Sequence, residues 1–216
     1  MDATRLPLPV RRVLEYRRRG RVRFVLSKVN SRPGMKIIDI GCGIDGRTFE
    51  DHIPRDWVVT GVDILPPERI RHTHPCFCYL RQDARDLSRF GDGEFDLAVS
   101  IGMLEHITDE RESGRIVSEI RRVARQHIVI VPYRYCWIEP HYGVPFFPLL
   151  PYPAKVALVK SLNLCGHREF LARDPQYINR EFLWKSNAEY RRIFPDARIY
   201  LLPTLETIAI IRKAQI

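Results

Sequence analysis

The sequence has no stretch of about 18 uncharged apolar residues, the length that a bilayer-spanning helix needs. Its opening, Met1-Asp2-Ala3-Thr4-Arg5, contains no apolar core of the kind a secretory leader carries. Neither a membrane span nor export is expected from these features. The cysteines, Cys42, Cys76, Cys78, Cys136 and Cys165, are few, odd in number and without a C-x-x-C pair. A disulfide framework and a zinc ribbon are both disfavoured, and a reducing cytosol suits the chain. Internal repeats and low-complexity tracts are also missing, which excludes solenoids and long linkers. What remains is ordinary globular material: 216 residues, 45% apolar and 28% charged, enough for one domain with an elaborated insertion.

Acidic residues are scarce at one end. Residues 1–32 hold ten basic side chains against only Asp2 and Glu15, whereas the whole chain has 35 basic and 26 acidic residues. Nearly all of the net charge of +9 therefore belongs to a basic N-terminal helical arm, residues 1–32, ahead of a main domain at 33–216. Residues 5–32 suit RNA or an anionic membrane surface, which attracts roughly 1 kcal/mol per nearby base. The alternative is a solvated helix face that covers one end of the domain. Within the arm, Val10, Val13, Leu14 and then Val22, Val25, Leu26, Val29 recur at three- and four-residue steps. With Gly20 between them, the pattern predicts two short amphipathic helices or one kinked helix.

From Met35 onward strand-like and helix-like stretches alternate. Strands are expected at 35–40, 57–62, 77–80, 95–101 and 128–131, with helices at 66–72 and 109–125. The apolar runs do not alternate with polar residues, as strands covered on both faces do not. The fold class is therefore α/β, a doubly wound, mostly parallel sheet. Regularity lapses over about 133–185, a proline- and aromatic-rich insertion read as a lid, with a helix at 154–164. A helix at 187–194 and two closely joined strands, 198–202 and 205–212, follow; the short connection forces antiparallel pairing.

Gly41-Cys42-Gly43-Ile44-Asp45-Gly46 follows the first strand and matches G-x-G-x-x-G, with Asp63 near the spacing of a ribose-binding acid. Asp45 inside the loop opposes a pyrophosphate, because its carboxylate would repel phosphate. Asp39, Asp63 and Asp83 instead place an acid at the end of each of three strands. That set suits a ligand with donors and positive charge but no phosphate, and S-adenosylmethionine is such a ligand. Asp63 would accept from its ribose hydroxyls and Asp83 from its adenine amine. Asp39 would orient the turn and favour the ammonium, while the glycines admit close backbone approach. The simpler reading is that aspartates end strands and glycines make turns.

Ile37-Ile38-Asp39-Ile40-Gly41-Cys42-Gly43, Gly61-Val62-Asp63, Gln82-Asp83-Ala84 and Phe95-Asp96-Leu97-Ala98-Val99-Ser100 resemble the successive motifs of class I S-adenosylmethionine-dependent methyltransferases. Met103-Leu104-Glu105-His106-Ile107 is similar to the segment after strand four in small-molecule members, including those of quinone biosynthesis. The resemblance implies a seven-stranded Rossmann-like sheet with an antiparallel last strand. It also implies cofactor contacts at Asp39, Gly41, Cys42, Gly43, Asp63, Ile64, Asp83, Ala84 and Ile101. The polar run Asp45-Gly46-Arg47-Thr48 departs from the family pattern.

Methyl transfer needs alignment above all, and a general base only where the acceptor carries a proton. His106, just past strand four, is a candidate base; it also suits a capping or packing role. Glu105 suits either a cofactor contact or the favouring of a helix start. Glu139 and His141, after strand five, are the second acid–base candidates, with Trp137 and Tyr142 as pocket walls. No metal is expected, since nothing in the spacing of Glu139, His141 and His167 requires one. His72 and His74 read as surface. Val144–Pro151 suits an acceptor pocket, a membrane contact or a second small core.

The sequence thus points first to a cytoplasmic methyltransferase, possible at a membrane periphery, that modifies oxygen or nitrogen of a lipid, quinone precursor or saccharide without a stable protein partner. RNA methylation through the arm is the alternative, although Ser100-Ile101-Gly102-Met103 replaces the N-P-P-Y of amino methyltransferases. A nicotinamide-dependent oxidoreductase and a non-catalytic binding module are the readings from other classes.

Overall fold

A computed structural model describes residues 8–46, 49–137, 139, 141–142, 144–162, 167–202 and 207–212, with side chains left out at 8–14, 17, 180, 181 and 207. A single 19-residue helix, α1 (Leu8–Leu26), opens it. The expected break at Gly20 is absent. One glycine costs a helix only about 1 kcal/mol, which a buried stripe outweighs. Val22 and Val25 form that stripe and, with Val29 just beyond the helix end, pack with Met35, Ile37, Trp57 and Leu97. The helix is thereby part of the domain's core.

Seven strands follow in the order β3-β2-β1-β4-β5-β7-β6. They are β1 (Lys36–Ile40), β2 (Val58–Asp63), β3 (Phe77–Arg81), β4 (Phe95–Ile101), β5 (Ala124–Pro132), β6 (Arg198–Leu201) and β7 (Thr207–Arg212). The first five are parallel, while β7 runs antiparallel to both β5 and β6. Alternation along β1 builds two cores: Ile38 and Ile40 face one cluster, Ile37 the other. Because β1 leads to β2 on one side and lies beside β4 on the other, the sheet reverses direction there. Ligands of such sheets bind in the crevice outside the strand ends at this reversal.

Helix α2 (Glu110–Val123) starts where Asp109 accepts from Arg111 N (2.8 Å) and Glu112 N (2.9 Å), and buries Ile116, Val117, Ile120 and Val123. It passes directly into β5. The strand begins earlier than expected because Ala124 already pairs with Phe95. The helix expected at 66–72 shrinks to a 3₁₀ turn, Pro67–Arg69. Pro75 disfavours helix at His74, and His72 stacks on Phe77 with ring centroids 4.1 Å apart. Among the described residues, all three crossovers between β1 and β4 lack α-helix.

The insertion after β5 carries α3 (Tyr152–Leu162), α4 (Arg168–Arg173) and α5 (Tyr177–Glu181); α6 (Asn187–Ile193) leads back to the sheet. The last two residues of the helix expected at 154–164 lie outside the described residues. Tyr142, Phe147, Val159, Leu171, Ile178, Phe182 and Trp184 form a third small core within the insertion. The insertion is tied to the sheet edge by Leu183 N, which donates to Glu105 O at 2.7 Å, and by Arg134 N, which donates to Lys185 O at 3.1 Å. Among the described residues no helix is long and apolar enough to cross a membrane.

Candidate functional site

The turn after β1 is shaped by glycines. Gly41 (φ 76°) and Gly43 (φ 70°) occupy the left-handed region that favours glycine. Gly41 N and Cys42 N donate to Val62 O at 2.8 and 3.2 Å, folding the turn back onto the end of β2. A Cβ on Gly41 would lie 2.7 Å from Met103 Cγ, whereas one on Gly43 would meet nothing within 4 Å. Gly43 thus leaves open a position where a ligand can approach the backbone.

Asp63, the last residue of β2, clamps this turn. Its Oδ2 accepts from Gly43 N (2.9 Å) and its Oδ1 from Leu65 N (3.1 Å). Each oxygen has a further lone pair for a ligand. Asp83, beyond β3, takes Arg85 Nε at 3.0 Å and Nη2 at 2.6 Å; Arg85 also binds Glu112. These hydrogen bonds hold the Asp83 carboxyl below its usual range.

Six expected cofactor residues, Gly41, Gly43, Asp63, Ile64, Asp83 and Ala84, line one cleft of about 450 Å³. Met103, His106, Ile107 and Ile116 line the cleft as well. Three expected contacts do not line it. Ile101 sits half-buried at the end of β4. Cys42 is buried, and burial pushes its thiol up. Asp39 is only 3% exposed, and burial lifts its carboxyl to about 6. The two cleft carboxylates therefore converge, with the third behind the turn.

His72 and His74 are not on the surface. The His72 side chain is fully enclosed, its Nδ1 3.8 Å from Glu50 Oε1. His74 is 8% exposed, with Nε2 3.1 Å from Pro54 O. The sequence conceals this because the enclosing groups lie around Glu50, twenty-odd residues earlier.

Beyond the cleft, His106 faces His141 edge-on with ring centroids 5.8 Å apart, and both rings contact Phe182. Glu139 is fully buried, and four donors surround it. Its Oε2 accepts from His141 N (2.7 Å) and Tyr142 N (2.8 Å). Its Oε1 lies 2.7 Å from His141 Nδ1 and accepts from Trp184 Nε1 at 3.2 Å. Saturated in this way, Glu139 orients His141. Tyr142 belongs to the insertion core, stacked on Phe147, and Trp137 is 52% exposed against Phe146; neither lines the cleft. His167 pairs with Tyr177 Oη at 3.0 Å and packs against Tyr142 with ring centroids 4.8 Å apart. Glu105 is only 2% exposed, and burial raises its carboxyl to about 7.

Residues 38–131 match the family model described as a methyltransferase domain. The chain is 33% identical over 98 residues to the cyclopropane-fatty-acyl-phospholipid synthase of Escherichia coli K12, covering 44% of this chain and 25% of that protein. It is 30% identical over 95 residues to a ubiquinone biosynthesis O-methyltransferase of Vibrio campbellii, covering 41% and 40%. The chain thus spans between a quarter and two fifths of these curated relatives. In fold it is similar to magnesium protoporphyrin IX methyltransferase of Synechocystis, solved with bound S-adenosylhomocysteine, at TM-score 0.54 and 16% identity over 96% of this chain and 89% of that one. In its family match and its fold the chain is thus similar to S-adenosylmethionine-dependent methyltransferases.

Proposed function

We propose that the chain transfers the methyl group of S-adenosylmethionine to oxygen or nitrogen of a small lipid, quinone-precursor or saccharide acceptor. The observation that carries this reading is the continuity of the cleft with the histidine pair: His106 lines the cofactor cleft and packs against His141. The sulfonium of the bound cofactor supplies an activated methyl carbon. The donor set fits that cofactor, with carboxylates for hydroxyls and amine and a glycine turn open at Gly43.

The protein's task is then alignment, worth roughly 7–11 kcal/mol for well-oriented reactants. Asp63 fixes the turn and the ribose end; Asp83, held by Arg85, faces the adenine end. An acceptor seated beneath the insertion meets Phe182 and the two imidazoles. Those imidazoles lower the cost of removing its proton, a contribution of about 10²–10⁴-fold where the acceptor is a hydroxyl. The names of the two relatives, a fatty-acyl-phospholipid synthase and a ubiquinone biosynthesis enzyme, support a lipid or quinone acceptor.

Incubation of the chain with tritium-methyl-labelled cofactor and fractionated cell extract tests this. Label in lipid-soluble or small polar molecules is expected. Label in RNA would replace this acceptor class with nucleic acid, recruited by exposed α1 arginines such as Arg19 and Arg23.

A further inference from the structure

Glu105, His106 and His141 bring one donor atom each to within 4.8 Å of one another. Glu105 and His106 come from the 3₁₀ turn after β4, and His141 from the insertion after β5. Glu105 Oε1 lies 4.0 Å from His141 Nε2. Its other oxygen, Oε2, is buried and makes no hydrogen bond to any described residue. A buried carboxylate oxygen left unmet is costly, and a cation is the partner that removes that cost.

The orientation of His141 points the same way. Among the described residues Glu139 meets N–H donors only, so its Oε1 takes the Nδ1 proton of His141 at 2.7 Å. That tautomer leaves the Nε2 lone pair turned toward Glu105. A carboxylate behind the far nitrogen is the arrangement that fixes and strengthens a metal-ligating imidazole.

We propose that Glu105, His106 and His141 bind a divalent transition-metal ion of the Zn²⁺ class, with Glu139 positioning His141. Two imidazoles and a carboxylate suit such ions, whose N and O ligands lie at about 2.0–2.2 Å. Tetrahedral ligands at that distance stand about 3.4 Å apart, so the donors close in by roughly an ångström on binding. His106 is exposed and supplies the freedom for this movement. Because His106 also lines the cofactor cleft, the open fourth position faces the acceptor. An acceptor hydroxyl bound there gives its proton to water more readily, which is how the histidine pair would ease proton removal. The three donors are 36 residues apart at most, and their spacing follows no metal-binding motif.

Cation binding is measurable without cofactor or acceptor, so its failure and the failure of the methyl-transfer reading are separate results. The metal-stripped chain is titrated with Co²⁺, followed by visible absorption, and with Zn²⁺ in competition with a chelating dye. One ion per chain is expected. Glu139→Gln should weaken binding about 10- to 100-fold, and His106→Ala and Glu105→Gln more than that. The surface position of His106 and the matched shape of Gln at 105 keep these variants folded, which circular dichroism checks. Absence of saturable binding overturns the proposal, and so does stoichiometric binding undiminished in His106→Ala and Glu105→Gln.

Discussion

Gly43 donates its backbone N–H to Asp63 Oδ2 at 2.9 Å, so one carboxylate both clamps the turn after β1 and faces the cleft. Loop geometry and ligand recognition are thus coupled through a single side chain. Asp63→Ala removes both roles. Hydrogen bonds to a charged group contribute about 1.5–3 kcal/mol, so affinity for S-adenosylhomocysteine should fall roughly 10- to 150-fold by calorimetry. An unchanged affinity would take Asp63 out of the site.

Gly41 combines a φ of 76° with a neighbour, Met103 Cγ, 2.7 Å from where a Cβ would stand. Gly41→Ala should cost about 2 kcal/mol or more in urea denaturation, from left-handed backbone and overpacking together. Gly34→Ala, with φ 65° but nothing within 4 Å, should lose only the backbone part, about 1–2 kcal/mol. Equal losses would mean that Met103 gives way freely.

Glu105 should make the metal-free protein less stable as pH rises. Its folded carboxyl is raised from 4.5 to about 7, facing His141, Glu139 and Arg21. Below pH about 4.5 the group is neutral in folded and unfolded states and carries no penalty. Between that value and about 7 the unfolded chain ionises first, so stability falls through this window, by at most about 3 kcal/mol. Measured with chelator present, Glu105→Gln should flatten the fall. A variant that keeps the wild-type slope would place the linked proton elsewhere.

Val25 is fully buried between α1 and the sheet. Val25→Asp puts an unpaired charge there and should lower the melting transition of the whole domain, with a loss of several kcal/mol. An unaltered transition in scanning calorimetry would mean that α1 does not contribute to the core.

The sheet was readable because its signal is local. Unbroken apolar runs such as Ile128–Val131 and Leu97–Val99 demand cover on both faces, and Asp63 and Asp83 mark strand ends by position alone. The α1 stripe was readable too, but not its continuity, since tertiary burial of Val22 and Val25 overrode the weak local penalty of Gly20. What stayed hidden depends on distant pairing. His72 is enclosed by Glu50, Glu139 is saturated partly by Trp184, and Glu105 meets His141 only because the insertion folds onto the sheet edge. Asp39 looks like its two counterparts in sequence, yet its side chain is buried behind the glycine turn.

The central claim is that the cleft between Asp63 and Asp83 takes a cationic, phosphate-free nucleoside. Calorimetric titration of the unmodified chain with S-adenosylmethionine and, separately, with NADH tests it most directly. The account predicts one S-adenosylmethionine per chain and no measurable NADH binding. Saturable NADH binding without S-adenosylmethionine binding would contradict it.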